Sequence, residues 1–583
     1  MNILDQLPAQ AAYDVVVVGA GGAGLSAALF AALDGARVLL VERTAYVGGS
    51  TAWSAGTTWV PGTQHAARVN SSDTLEAART YLDAAIGERT DPTLRQAFLE
   101  HGAAAVRRLE DHSEVHYRPC PKHPDYISEL PGSTLCGRAL EPLPFDGRLL
   151  GNLFSLLRPP IPEFTVLGGM MVDRTDINHL LAMTRSWASL RHSLRIVLRH
   201  ARDRLSHPRG TRLVMGNALV ARLLYSLSSM PHVTLALNTE VKQFDGVPAR
   251  GDEGKQAGAV DGVLLSKGGH SCRVQVCGGL VLASGGFNRS TDRRREKLPG
   301  TQEAWCPGAP GHTGAAQALA LQHGARYGEG GLSHAFWAPV SLRQRADGST
   351  AAFPHFVMDR AKPGFLTVNQ AGRRFVNEST SYHLFGLAMQ QPHQGTVATP
   401  AYLICDAAAL HKYGMGMVRP GGKGLAPFLA DGYLTEAATL AELARKLGMN
   451  AAALQESVRQ INAYAQNGRD PDFGRGSTAY EQNIGDATAG HPNPNLGPIA
   501  SAPFYAVKLY PGDIGASTGL VADAHARVQD VAGRAIEGLY AVGNDMHSIM
   551  GGVYTAPGIT IGPGLVFAFL AARHAVARAG ARA

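Results

Sequence analysis

The chain has 583 residues, 45% of them apolar, with 68 glycines and a net charge of +7 at pH 7. This length exceeds one ordinary domain, and the composition is that of a globular protein with a large core, which excludes a disordered or low-complexity chain. No run of about 18 apolar residues occurs, which excludes a membrane-spanning helix, and the basic excess lacks the aromatic interleaving expected of a nucleic-acid surface.

The opening residues, MNILDQLPAQ, have neither a basic n-region nor an apolar core, so no secretory signal is expected. Six scattered cysteines without a C-x-x-C pair fit a reducing compartment, and the protein reads as cytoplasmic. The strongest local signal follows. VVVV at 15–18 is a continuous apolar run, as expected of a buried parallel strand. Gly19-x-Gly21-x-x-Gly24 comes at once, then a helix (LSAALFAALDG) and a second strand (ARVLLVE) ending at Glu42. This is a βαβ unit for a dinucleotide. The first glycine makes the turn, the second lets backbone approach a pyrophosphate, and the third lets helix and strand pack. Glu42 accepts from a ribose diol. VGGSTAWSAG at 47–56 adds glycine and hydroxyls where a nicotinamide nucleotide needs nothing, which points to the longer FAD.

Between Arg191 and Arg212 lies RHSLRIVLRHARDRLSHPRGTR, with Leu194, Ile196, Val197, Leu198 and Leu205 near helical spacing. The plain reading is a surface helix with a solvated basic face. The sharper one is peripheral docking of segment 191–212 to anionic lipid. A helix and strand are expected over 216–244, a strand near 262–265, and a buried strand with a glycine turn in GGLVLASGGFNRS, 278–290. The middle, 311–494, has different punctuation and reads as an inserted domain between a first part (1–310) and a last part (495–583) of the nucleotide domain. In TVNQAGRRFVNESTSYHLFG, 367–386, NQAG reads as a turn, RRFVNE as a strand, and Tyr382 as a loop residue. GLYAVGND at 538–545 repeats the strand-glycine form, and GLVFAFLAARHAVARA is a closing helix. No metal-ligand spacing and no G-x-S-x-G elbow occur.

With VVVVGAGGAG, VGGSTAWSAG, ASGGFN, GRRFVNE, EGLYAVGN and TIGP in order, the chain resembles the FAD-dependent oxidoreductases that include soluble fumarate reductases and 3-ketosteroid Δ1-dehydrogenases. The resemblance implies an α/β, Rossmann-like FAD-binding domain with an inserted α+β substrate domain. It implies non-covalent FAD held by Gly19, Gly21, Gly22, Gly24, Glu42 and Arg43, then by Gly49, Ser50, Thr51, Ser54 and Gly56. Val241, Ala283, Gly285, Gly543, Asn544, Gly558, Thr560 and Ile561 complete the set.

Two positions separate the branches. Fumarate reductases carry an arginine acid after RFVNE and cationic clamps at the last glycine loop. Here the first place holds Tyr382, and the loop reads GGVYTAPGITIGP with neither clamp. The 3-ketosteroid Δ1-dehydrogenases look closer, since their tyrosines match Tyr382 and Tyr554, with Gly558 four residues on and Tyr126 as the third. The resemblance then implies desaturation of an apolar, steroid-like cyclic ketone. Tyr382 takes a proton, and Tyr554 and the Gly558 N–H hold the enolate oxygen. Tyr126 supports the tyrosinate, because a phenol of pKa about 10 must shift down to act near neutrality. Arg374 and Glu378 are expected to form a structural ion pair, and an electron acceptor of unidentified chemistry is implied. The alternatives are another enone oxidoreductase on this scaffold (a Δ4-steroid dehydrogenase or a fumarate-reductase-like alkene reductase) and an electron-transfer flavoprotein.

Overall fold

The computed structural model describes residues 1–8, 10–249 and 258–582. Its larger sheet has nine strands. The centre is parallel, in the order Val233–Ala236, Val38–Val41, Gln10–Val18, His270–Leu282, with Ala535–Ala541 beside the last. Residues 15–18 and 38–41 are buried on both faces, which is why they read as unbroken apolar runs. The register sets Val18 beside Val41 and Leu282, Val41 beside Ala236, and Leu282 beside Ala541. The carboxyl ends of five strands therefore meet on one edge, where ligands of open α/β sheets bind.

Helix Gly22–Leu33 is buried almost all round, and it packs against the closing helix Ile561–Arg582 through Phe30 and Phe569, ring centroids 5.1 Å apart. Glycine permits this close layering. A Cβ on Gly278 would stand 2.3 Å from the Ala575 carbonyl oxygen of the closing helix.

The second sheet has six strands, all antiparallel, in the order Thr350–Pro354, Ala335–Gln344, Phe504–Ala516, Ala401–Asp406, Phe365–Val368, with Thr435–Ala437 also on Phe504–Ala516. Its side chains alternate as a pleat requires. Leu403 and Cys405 join a core with Phe385 and Met389, while Tyr402 and Ile404 join another with Leu454 and Val458. The strand Phe504–Ala516 lies beyond residue 494, so this sheet takes chain from past the expected boundary.

Two local expectations are corrected. RRFVNE is not a strand. After the turn closed by Gly372 N–H on the Asn369 carbonyl, it makes one bridge, Val368 to Arg374, and then bends. The cause is ionic. Arg374 pairs with Glu378 and Asp470, each at 2.8 Å, and Arg475 reaches Glu378 at 3.2 Å, all buried. Nor is Tyr382 in a loop, since it opens helix Tyr382–Gln390, where the Ser381 hydroxyl accepts from Leu384 N–H (3.3 Å).

The basic segment forms helix Trp187–Asp203 and a following turn. Ser189, Ser193, Ile196, His200 and Asp203 face the protein. Trp187 is 80% exposed, Leu198 66% and Leu205 87%, so much of the apolar stripe points to solvent together with Arg191, Arg195, Arg202 and Arg204.

Candidate active site

One cavity runs along the carboxyl edge of the parallel sheet and into the second sheet's region. Of the residues expected at the cofactor, Gly19, Gly21, Gly22, Glu42, Arg43, Gly49, Ser50, Thr51, Ser54, Gly56, Val241, Ala283, Gly285, Gly543, Asn544, Gly558, Thr560 and Ile561 all line it. Gly24 does not. A Cβ there would meet the Gly19 carbonyl oxygen at 1.8 Å, so this glycine serves helix–strand packing.

The cradle fits a dinucleotide by its own geometry. Gly21 precedes the helix without a side-chain cap, and a Cβ on it would meet nothing within 4 Å, so bare backbone faces the cavity. The Thr51 hydroxyl accepts from Gly22 N–H (3.2 Å) and clips the VGGST loop to the helix start. The Glu42 carboxylate is fixed by Ala20 N–H (3.0 Å) and by the N–H and hydroxyl of Thr44 (2.9 and 2.7 Å), with lone pairs left for a ribose diol. FAD suits this site, and when bound it supplies a two-electron acceptor. Sequence reasoning missed two lining side chains here. His312 has an unpartnered buried Nδ1, and burial pushes it down to about 4, so it is neutral. Arg158 is 5% exposed and stacks on Trp53 and Tyr46. Neither sits in a recognisable spacing.

Beyond Gly558 the cavity reaches Tyr126, Tyr382 and Tyr554, all three buried. The Tyr126 hydroxyl donates to that of Tyr382 (3.1 Å). Ring centroids are 5.3 Å apart for Tyr126–Tyr382, 5.0 Å for Tyr382–Tyr554 and 5.7 Å for Tyr126–Tyr554. Three distant segments are brought together by specific contacts. The Thr555 carbonyl accepts from Tyr126 N–H (2.8 Å) and from the Tyr81 hydroxyl, tying the last glycine loop to the Tyr126 loop. Gly558 has φ +91°, and a Cβ would stand 2.4 Å from the Thr57 carbonyl oxygen, so this position demands glycine. Its N–H donates to no described residue.

The Arg374–Glu378 cluster places Tyr382. Residues 379–381 connect it to the helix, and the Glu378 and Thr380 carbonyls both accept from Arg360 (2.6 and 2.7 Å). Arg360 is fully buried, and its guanidinium bonds four backbone carbonyls, those of His355, Phe356, Glu378 and Thr380. It was not legible in the sequence, nor was Tyr480, whose ring lies 4.7 Å from that of Tyr126.

The electrostatics differ from expectation. Burial first, then the neighbouring phenols, push Tyr382 well above the usual phenol range rather than below it. Burial likewise raises Tyr126, opposed by the bond to Tyr382 and by the Arg360 charge. Burial raises Tyr554, opposed by the hydroxyls of Tyr382 and Thr560. Without a bound ligand the site holds three neutral phenols.

The FAD binding domain family model matches residues 14–561. A 4-oxocyclohex-2-ene-1-carboxylate 5-dehydrogenase of Sinomonas cyclohexanicum is 36% identical over 98% of this chain and 95% of its own length. A 3-oxosteroid 1-dehydrogenase of Mycobacterium tuberculosis is 34% identical over 98% of this chain and 99% of its own. The crystal structure of the 3-ketosteroid Δ1-dehydrogenase from Sterolibacterium denitrificans, in complex with 1,4-androstadiene-3,17-dione, matches with a TM-score of 0.89 at 33% identity, covering 97% of this chain and 99% of that one. These similarities agree with the expected FAD-binding fold and separate catalytic domain. The chain belongs to the FAD binding domain family and, within it, to the FAD-dependent dehydrogenases that include the 3-oxosteroid 1-dehydrogenases.

Proposed function

We propose that this protein desaturates a cyclic ketone beside its carbonyl. The observation that carries the reading is the meeting of Tyr126, Tyr382 and Tyr554 with Gly558 in the cavity that also cradles the cofactor. The Tyr554 hydroxyl and the Gly558 N–H donate to the ketone oxygen. Tyr382 removes the proton from the neighbouring carbon, and the electron pair moves toward the oxygen as an enolate. Tyr126 donates to the Tyr382 oxygen as that oxygen becomes the base. FAD, held by the glycine cradle and Glu42, would supply the acceptor for the hydride of the next carbon. Two preorganised donors in a dry site are worth several kcal/mol, about 2.7–4 for each. A dicarboxylate would lack cationic clamps on the Tyr554 loop. The relatives named above act on a ring ketone, steroidal in one case and a cyclohexene carboxylate in the other.

The test is anaerobic. A 3-keto-4-ene steroid and 4-oxocyclohexanecarboxylate are each added to the yellow protein, and the flavin spectrum is followed. Bleaching with a new ring double bond is expected. Failure of both ketones, with fumarate instead reoxidising the dithionite-reduced protein, would overturn the reading.

The exposed face of helix Trp187–Asp203 supports peripheral docking to an anionic membrane surface. Trp187, Leu194 and Leu198 fall on one side, interleaved with Arg191, Arg195 and Arg202, and the exposed Leu205 follows in the turn. No described helix is long and apolar enough to cross a membrane. Ile161, Phe164 and Arg174, which precede this helix in the chain, line the cavity. Flotation with phosphatidylserine vesicles is expected at low salt and lost in a Trp187→Ser, Leu198→Ser double variant. Unchanged flotation of the variant would remove the docking assignment.

A further inference from the structure

Two polar side chains, His123 and Arg174, line the same cavity outside both the tyrosine cluster and the cofactor cradle. Arg174 opens helix Arg174–Leu181. Its guanidinium makes no hydrogen bond or ion pair with a described residue. The ionisable groups that feel its charge are His123, the buried thiol of Cys120 and the Lys362 ammonium, none of them an anion in place. The carboxylates nearby are engaged elsewhere. Asp173 caps the helix and faces Arg118 and Arg212, Asp176 holds His192 and Arg212, and Glu163 holds Arg345. His123 is kept neutral by burial and then by Arg174, which push it down to about 3, and its Nδ1 is buried without a partner.

Arg174 is exposed to solvent and also borders a largely apolar cavity, among Ile161, Phe164 and Phe356, beside an imidazole whose Nδ1 has no partner among the described residues. A guanidinium fork with a neutral imidazole donor next to it matches a carboxylate, which accepts from both. A neutral ligand would leave that pairing unused.

We infer that Arg174, with His123 beside it, is a subsite for a carboxylate carried by the substrate, so the preferred substrates are cyclic ketones bearing an acidic group remote from the carbonyl. The inference rests on the desaturase reading for what happens at the tyrosine end. Two sources share this chemistry: a monocyclic oxo acid, and a steroid with an acidic side chain. The length of the ligand distinguishes them.

The experiment separates binding from turnover. The holoenzyme is titrated with two pairs of ligands that cannot be dehydrogenated, and dissociation constants are read from the oxidised flavin spectrum. The short pair is 4-hydroxybenzoate and its methyl ester. The long pair is 3-oxochola-1,4-dien-24-oic acid and its methyl ester. In one pair the acid is expected to bind at least about tenfold tighter than its ester. Arg174→Gln should abolish that advantage and leave the ester unchanged, and Arg174→Lys should keep much of it, since the position is exposed and either variant folds. The inference is overturned if neither acid outbinds its ester, or if Arg174→Gln weakens acid and ester alike. If the acid advantage stands but no ketone bleaches the flavin, the subsite survives and the desaturase reading falls. If ketones bleach the flavin without any preference for acids, the reverse holds.

Discussion

Tyr554→Phe removes one hydroxyl and keeps the ring. The ring packs on Tyr382, Phe336 and Tyr126 at centroid distances of 5.0, 5.1 and 5.7 Å, contacts that phenylalanine retains. The stability lost is that of a buried hydroxyl's hydrogen bonding, about 0.5–1.5 kcal/mol. The rate lost is larger. An oxyanion donor in a water-poor site contributes about 2.7–4 kcal/mol, or about 10²–10³ in rate, and the Gly558 N–H remains as the second donor, so activity falls without vanishing. The assay is stopped-flow reduction of the flavin by saturating ketone without oxygen. The limiting rate should fall by about 10²–10³, while a rise of the rate with pH persists, because the base is another residue. A limiting rate within about fivefold of the wild type, under ~1 kcal/mol, would refute the oxyanion role. A loss confined to substrate affinity would reassign Tyr554 to ground-state binding.

Tyr382→Phe should lower the same rate by about 10²–10⁴, the span of general-base catalysis, and survival of full turnover would remove the base assignment. Since burial raises the Tyr382 phenol, its base form grows as pH rises, so the wild-type kcat/KM should climb through the alkaline range. Tyr126→Phe removes the hydroxyl that donates to Tyr382 (3.1 Å) and should slow flavin reduction across the pH range, which a pH profile of the rate reads directly. Glu378→Gln leaves Arg374 and Arg475 buried with one carboxylate fewer and should cost about 3–5 kcal/mol in unfolding. Burial raises the Glu378 carboxyl, but Arg374 and Arg475 more than reverse this and hold it below the ordinary range. Its contribution is therefore complete above the unfolded carboxyl's pKa and lost as pH falls through the folded value, and acid unfolding curves of the variant should lack that loss.

The cofactor half of the molecule was readable because its signals are local. An apolar run buried on both faces, a glycine that must expose backbone, and an acid at a strand end each act within a few residues of themselves. Gly24 has the packing role expected of the third glycine, since a Cβ there would meet the Gly19 carbonyl oxygen at 1.8 Å. The substrate half depends on meetings the chain does not announce. Tyr126, Tyr382 and Tyr554 became candidates through family likeness, and the contacts that gather them, such as Thr555 to Tyr126 and Tyr81, run between segments hundreds of positions apart. RRFVNE has strand-like residues, but an ionic cluster with Asp470 and Arg475 overrides the propensity. In helix Trp187–Asp203 the period predicts the element correctly. Periodicity cannot say which face meets the protein, and here serines and a histidine turn inward while Trp187 and Leu198 turn out.

The raised phenols and the proposed base chemistry are two consequences of one dry cavity. Removing water makes a tyrosinate expensive, which is why Tyr382 sits above the usual range. The same dryness strengthens every donor aimed at an oxygen that gains charge. A positive charge already in place is what reconciles the two. Arg360 is fully buried, its guanidinium bonds four backbone carbonyls and lies over the Phe385 ring, and no described carboxylate forms an ion pair with it. That charge opposes the rise of Tyr126, the residue that donates to Tyr382. Two of its carbonyl partners, Glu378 and Thr380, belong to the segment that leads into Tyr382. The backbone that leads into the base is thus held by a cation whose charge also acts on the phenols of Tyr126 and Tyr382.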